Sequence, residues 1–148
     1  MTVFFTVFSG TLVFVVGQMI LQFFIVPVQD FFKTIAAIAH ARIEVADVTS
    51  NPGVQSKERN EETSRQLRRL SGQLHSHLFL VRPYALVCRV SGLPSRAQVL
   101  QASGSLIGLS NSVFSSNGKT IESNASRWDK ICDNLGIDIE PDDRVPRA

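Results

Sequence analysis

Charge is missing from one end of this chain, and several residue types are scarce throughout it. Of 148 residues, the 28 from Thr2 to Gln29 include no Asp, Glu, Lys or Arg. Setting them aside leaves about 120 residues for everything else. That is too few for a dinucleotide-binding domain with a substrate domain, or for a TIM barrel. Two cysteines exclude a disulfide-framework miniprotein and a zinc site built from cysteine alone. A glycine-rich phosphate loop is lacking, since Gly104 and Gly108 have neither the spacing nor the following Lys and Ser/Thr. Wholesale disorder is excluded by the 44% hydrophobic content.

What the uncharged end does contain is TVFFTVFSGTLVFVVGQMILQFFIVP, Thr2 to Pro27. A bilayer core of ~30 Å needs roughly 20 apolar helical residues. In lipid every backbone group must pair internally, so a lone span is a helix despite its β-branched and aromatic content. A cleaved signal peptide would carry a basic start and small residues after the apolar run. Met1 to Phe5 has no charged side chain, and Pro27-Val28-Gln29-Asp30 stands where the small residues would be. We therefore expect a retained transmembrane helix over residues 1–27. Lys33 and Arg42 flank it on the C-terminal side and no basic side chain precedes it. The positive-inside rule then places the C-terminal part in the cytoplasm. Free Cys88 and Cys132 fit a reducing compartment. The sequon Asn124-Ala125-Ser126 is read as a chance match.

Within the span, Thr11, Gln18, Gln22 and Gln29 are spaced by 7, 4 and 7, on one helix face. Glutamine in hydrocarbon needs a hydrogen-bond partner, and such interhelical bonds are worth ~0.6–2 kcal/mol. Thr11, Gln18 and Gln22 are thus the candidate association face, with Gly10 and Gly17 adjoining. Pro27 removes one helical hydrogen bond and is expected to kink the helix.

From Val28 onward the spacing predicts helices. Val28, Phe31, Phe32, Ile35, Ile38, Ala39, Ile43 and Ala46 mark an amphipathic stalk ending near Thr49, with Arg42 on its apolar side. Ser50-Asn51-Pro52-Gly53 is a loop. Leu67, Leu70, Leu74, Leu78 and Val81 stripe a helix from Lys57 to Val81, with Arg65, Arg68 and Arg69 pointing away. Tyr84 to Arg89 is a short helix or re-entrant turn. A further helix, Ser95 to Phe114, is expected to turn Leu93, Ala97, Leu100, Gly104, Ile107 and Phe114 inward, with Gly104 and Gly108 allowing close packing. Asn117-Gly118 reads as a turn. Asn124 or Ser126 would cap a last helix that buries Trp128, Ile131, Cys132 and Leu135 and stops at Gly136. The fold class is all-α: a transmembrane helix continuing into an antiparallel cytoplasmic bundle over residues 28–136. An acidic tail, 137–148, is expected to be disordered.

Chemistry-bearing residues are sparse. His75 and His77 are two apart and diverge on a helix, so no metal site follows. Cys88 lies near Arg82 and Arg89, which could activate a thiol, but no base is placed beside it in the sequence. No cofactor is implied. Charge is more informative: the 59 residues from Thr63 to Ile121 carry seven basic side chains and no acidic one. Arg65, Arg68 and Arg69 are the centre of this basic surface. It could pair with the acidic C-terminal segment, bind anionic headgroups, or dock an acidic protein. Nucleic acid is disfavoured, because aromatics outside the span and stalk are few.

The blocks IAAIAHARIEVADV (Ile35–Val48), LRRLSGQLHSHLF (Leu67–Phe79) and ASGSLIGLSNSVF (Ala102–Phe114), after a span ending in apolar-Pro-apolar, resemble small bacterial proteins with one N-terminal span and a helical cytoplasmic part. The resemblance implies a membrane protein of all-α fold and no particular activity. The expected role is non-enzymatic assembly, with the lipid bilayer and a second copy or another membrane protein as partners. A membrane-anchored enzyme or sensor around His75, His77, Arg82 and Cys88, or a membrane-active effector, is the alternative.

Overall fold

The structure is a computed structural model and describes residues 2–115 and 117–138; the expected disordered tail lies, past Asp138, outside them. Among the described residues every regular element is helical. One continuous helix, Thr2–Glu44, is long and apolar enough to cross a membrane. It comprises α1 (Thr2–Ile20), a π-helical turn (Leu21–Ile25) and α2 (Val26–Glu44). The disturbance expected at Pro27 takes the form of that π turn. The Val26 N–H bonds to the Leu21 carbonyl, five residues back. The wider turn lets Pro27 sit at the start of α2, where its missing N–H does least harm.

The stalk breaks at Val45, and α3 (Ala46–Ser50) follows. Its buried face is Phe31, Thr34, Ile38, Ala41, Val45 and Val48, in steps of three and four. This corrects the expected face. Phe32, Ile43 and Ala46 are exposed, because a stripe about 100° wide cannot hold every apolar residue of so apolar a stretch.

Helix α4 (Lys57–Leu80) matches its predicted extent. Ser56 caps it, accepting from the Arg59 N–H at 3.2 Å. Its five-residue apolar stripe is buried throughout, with Leu67 and Leu74 fully enclosed. Pro83 follows, and α5 (Tyr84–Ser91) resolves the open choice as a helix, closed by Gly92 at φ 68°. Only glycine takes that left-handed conformation without strain.

Helix α6 (Arg96–Ser112) starts with a capping box between Ser95 and Gln98. Its inner face is Val99, Ala102, Ser103, Leu106, Leu109 and Ser110. The expected face is corrected here: Leu93 is buried, but Ala97, Leu100, Gly104, Ile107 and Phe114 are exposed. The inner serines explain the reversal. Ser71 Oγ of α4 meets Ser103 Oγ at 2.8 Å and donates to the Ser103 carbonyl at 3.0 Å. Paired small hydroxyls therefore complete an inner face that apolar spacing alone does not mark. The glycine pair divides: Gly104 has no close neighbour, whereas Gly108 makes room for a side chain of α7. A Cβ on Gly104 would meet nothing, and one on Gly108 would meet the Arg127 side chain.

Helix α7 (Gly118–Leu135) begins earlier than predicted, capped by Asn117. Trp128, Ile131, Cys132 and Leu135 are buried as expected. Gly136, at φ 67°, ends it, and the Ile137 N–H returns to the Cys132 carbonyl. One core joins the stalk to the remaining helices, centred on Phe31, Ile38, Leu67, Leu74, Leu106 and Ile131. Helix α1 stands outside it, with no buried residue.

Candidate functional site

The long N-terminal helix leaves the polar side chains of its first half uncovered. Thr11, Gln18 and Gln22 are all exposed. The Thr11 hydroxyl donates to the Val7 carbonyl, 3.0 Å away and one turn back. The two glutamine amides have no such local bond, because a long side chain on a helix projects away from the backbone. Phe4, Phe8, Val13 and Phe14 are exposed as well, each by more than half. In water this surface would be costly: full burial of one such side chain is worth about 1.5–3 kcal/mol.

Three contacts show how α4 lies along α2 and α3. Asp47 pairs with Arg59 at 3.3 Å, Glu44 accepts from Gln66 at 2.6 Å, and Thr34 meets His77 at 2.8 Å. The start of α4 is therefore beside the far end of the stalk, and its end beside the span. At 1.5 Å per residue, Glu44 lies about 27 Å along the helix from Val26.

This divides the basic block. Arg65, Arg68 and Arg69 are exposed and flank Gln66, level with Glu44. Arg68 donates to the Asn111 side chain at 2.7 Å, and Arg65 to the Glu61 carbonyl at 3.3 Å. Arg65 and Arg69 also border a shallow hollow of about 290 Å³ with Glu44 and Glu62. Arg82 and Arg89 are exposed at the other end, around α5. Pairing with the acidic segment past Asp138 lies outside the described residues.

The residues of the enzyme-like alternative are partly dispersed. His75 is exposed and lies against Phe79, whereas His77 is buried among Phe31 and Thr34. Thr34 Oγ1 lies 2.8 Å from His77 Nε2 and 3.1 Å from the Asp30 carbonyl, and which group donates in the first contact depends on the His77 tautomer. Its Nδ1 is buried with no partner. Burial pushes the His77 pKa down from 6.5, and the nearby Asp30 carboxylate opposes the shift. Cys88 Sγ donates to the Leu93 carbonyl at 2.9 Å, and Tyr84 Oη to the Pro94 carbonyl at 2.6 Å. Burial, reinforced by Cys88, raises the Tyr84 pKa to about 12, against the opposing Arg96. These bonds fasten α5 to the loop before α6. No nucleophile there faces a free base, and among the described residues no three His, Cys, Asp or Glu side chains could hold a metal.

Sequence reasoning missed a polar knot at the far end. Asn124 donates to the Thr49 carbonyl at 3.0 Å and accepts from Ser112 at 2.6 Å and Arg127 at 3.2 Å. Trp128 Nε1 donates to Thr49 Oγ1 at 3.4 Å. Asn124 is therefore an interior strut and no helix cap. Arg42, half-buried, borders a hollow of about 380 Å³ with Thr49, Trp128 and Asp129.

The class this defines is an all-helical protein with one N-terminal helix able to cross a membrane. No protein-family model matches the chain, nor does any curated protein or solved structure.

Proposed function

We propose that this is a single-span inner-membrane protein whose cytoplasmic part, an antiparallel bundle packed along the stalk, serves assembly and not catalysis. The observation that carries this reading is the first part of the long helix: α1 has no buried residue, and Thr11 and Gln18 on it and Gln22 in the π turn after it share one exposed face among apolar side chains. Lipid solvates the apolar side chains but offers the two amides nothing, so a second helix is their natural partner. That helix belongs to another copy of this chain or to another membrane protein. Lys33 and Arg42 favour the cytoplasmic side for the bundle.

The test is association of the span in a membrane two-hybrid reporter. Gln18→Leu with Gln22→Leu should lower the signal, and Val16→Leu on the opposite face should not. An unchanged double variant would remove the argument.

Arg65, Arg68 and Arg69 are better placed for an acidic protein than for headgroups. Their distance along the stalk is about three Debye lengths at physiological salt.

A further inference from the structure

Helix α5 carries an apolar face that the bundle leaves uncovered. Leu86 is 61% exposed and Val90 83%, one helical turn apart. Just before Pro83, Phe79 and Leu80 are exposed by 53% and 62%. Other exposed apolar side chains, such as Ile43 and Val54, lie far along or beyond the stalk. The α5 set differs because it adjoins the span. Phe24, Ile25 and Val28 on the long helix and Leu86, Val87 and Val90 on α5 line one groove of about 380 Å³.

The height of that groove follows from helix geometry. Asp30 is the first charged side chain after the apolar run, and Phe24 to Val28 precede it by about 3–9 Å of helix rise. Phe24 to Val28 then lie where acyl chains give way to headgroups, and Leu86 and Val90 lie beside them. Charge agrees with this depth. Arg82 and Arg89 are exposed around α5, and no acidic residue occurs from Phe79 to Arg96. Each basic residue at an anionic surface contributes roughly 1 kcal/mol. A short amphipathic helix in the interface buries its apolar face about 5–10 Å deep.

We propose that α5 is an interfacial helix. Leu86, Val90, Phe79 and Leu80 rest in the headgroup–acyl boundary of the bilayer that the span crosses. An acyl chain fills the groove against Phe24 and Val28, and Arg82 and Arg89 lie at phosphate level. The bundle is then held to the membrane at two points, which fixes how it faces along the surface. This rests on the reading of α1 as membrane-spanning.

The experiment uses the full chain with Cys88→Ser and Cys132→Ala, in vesicles of phosphatidylethanolamine and phosphatidylglycerol. A fluorescent NBD group is attached through Phe8→Cys, Leu86→Cys, Val90→Cys or Asn111→Cys, each variant checked for helical circular dichroism. A label site that lowers helicity is replaced by Phe79→Cys or Leu80→Cys. Lipid-borne nitroxide should quench positions 86 and 90 several-fold more than position 111, and aqueous iodide several-fold less. Quenching at position 8 with positions 86 and 90 as iodide-accessible as 111 would overturn the interfacial helix and leave the span intact. No lipid quenching at position 8 would overturn both readings. Protection of 86 and 90 from iodide without lipid quenching would mean that another protein surface covers them, which also overturns the proposal.

Discussion

The Nε2 of His77 lies 2.8 Å from the Thr34 hydroxyl, in a buried bond that ties α4 to the stalk across 43 residues of chain. The bond joins α2 to the last turn of α4. Its chemistry is one-sided. Nε2 shares a hydrogen with the Thr34 hydroxyl, while Nδ1 is enclosed with nothing to receive a hydrogen bond from the imidazolium.

Stability should therefore fall in mild acid. The folded pKa of His77 lies below 6.5, so the unfolded chain takes up a proton first as pH drops. The contribution is fully present above about pH 6.5 and is lost as pH falls toward the depressed folded value. Urea unfolding in detergent micelles should show a midpoint that declines between about pH 7.5 and pH 5.5. His77→Gln should flatten that decline. An equally steep decline in the variant would place the effect elsewhere.

The Ser71–Ser103 contact and its glycine neighbour should respond in opposite directions. Ser103→Leu forces a large side chain into the α4–α6 seam and should cost about 1–3 kcal/mol or more. Gly104→Ala adds a methyl where nothing stands within 4 Å. It should stabilise α6 by about 0.5–1 kcal/mol, the helix propensity difference. Denaturant midpoints measure both. A destabilised Gly104→Ala would restore the close-packing role that the structure denies it.

Asn124 should be among the most sensitive polar positions. Asn124→Ala strips partners from the Thr49 carbonyl and Arg127 together, and leaves the Ser112 hydroxyl with the Leu109 carbonyl alone. A loss of about 1–3 kcal/mol is expected from buried groups left unsatisfied. Thermal or urea unfolding reads it directly. A neutral variant would mean that water replaces the side chain at no cost.

The basic surface should matter little for folding. Arg65, Arg68 and Arg69 form none of the ion pairs seen among the described residues, which involve Lys33, Lys57 and Arg59. Changing all three to Gln should alter stability by only about 0.5 kcal/mol per site. A loss of heterologous crosslinks in the same variant would identify the surface as a docking site, and unchanged crosslinks would not.

Much of the architecture was legible because some segments are unambiguous. The leucine stripe of α4 alternates with Arg and Gln, so only one face can be inside. Gly92 and Gly136 stop α5 and α7 because the left-handed turn excludes other residues. Helix α6 defeated the same reasoning. Val99, Leu100, Leu106, Ile107 and Leu109 lie on several sides, and the inner face is completed by serines that only the matching Ser71 makes intelligible. Asn117-Gly118 was read as a turn because a cap followed by glycine looks like one. The polar face of the span was visible from spacing alone. The apolar face around α5 was not, since Phe79, Leu80, Leu86 and Val90 belong to two elements separated by Pro83. The relation of Leu86 and Val90 to Phe24 and Val28 exists only in the folded chain.

The central claim is that the span's polar face binds another helix, and site-specific photocrosslinking in intact membranes tests it most directly. A photoreactive side chain replaces Gln18 in one variant and Val16, on the opposite face, in another, each at native expression level. The account predicts protein adducts from position 18, to a second copy or to one reproducible partner, and lipid adducts from position 16. Lipid adducts alone from both positions would contradict it.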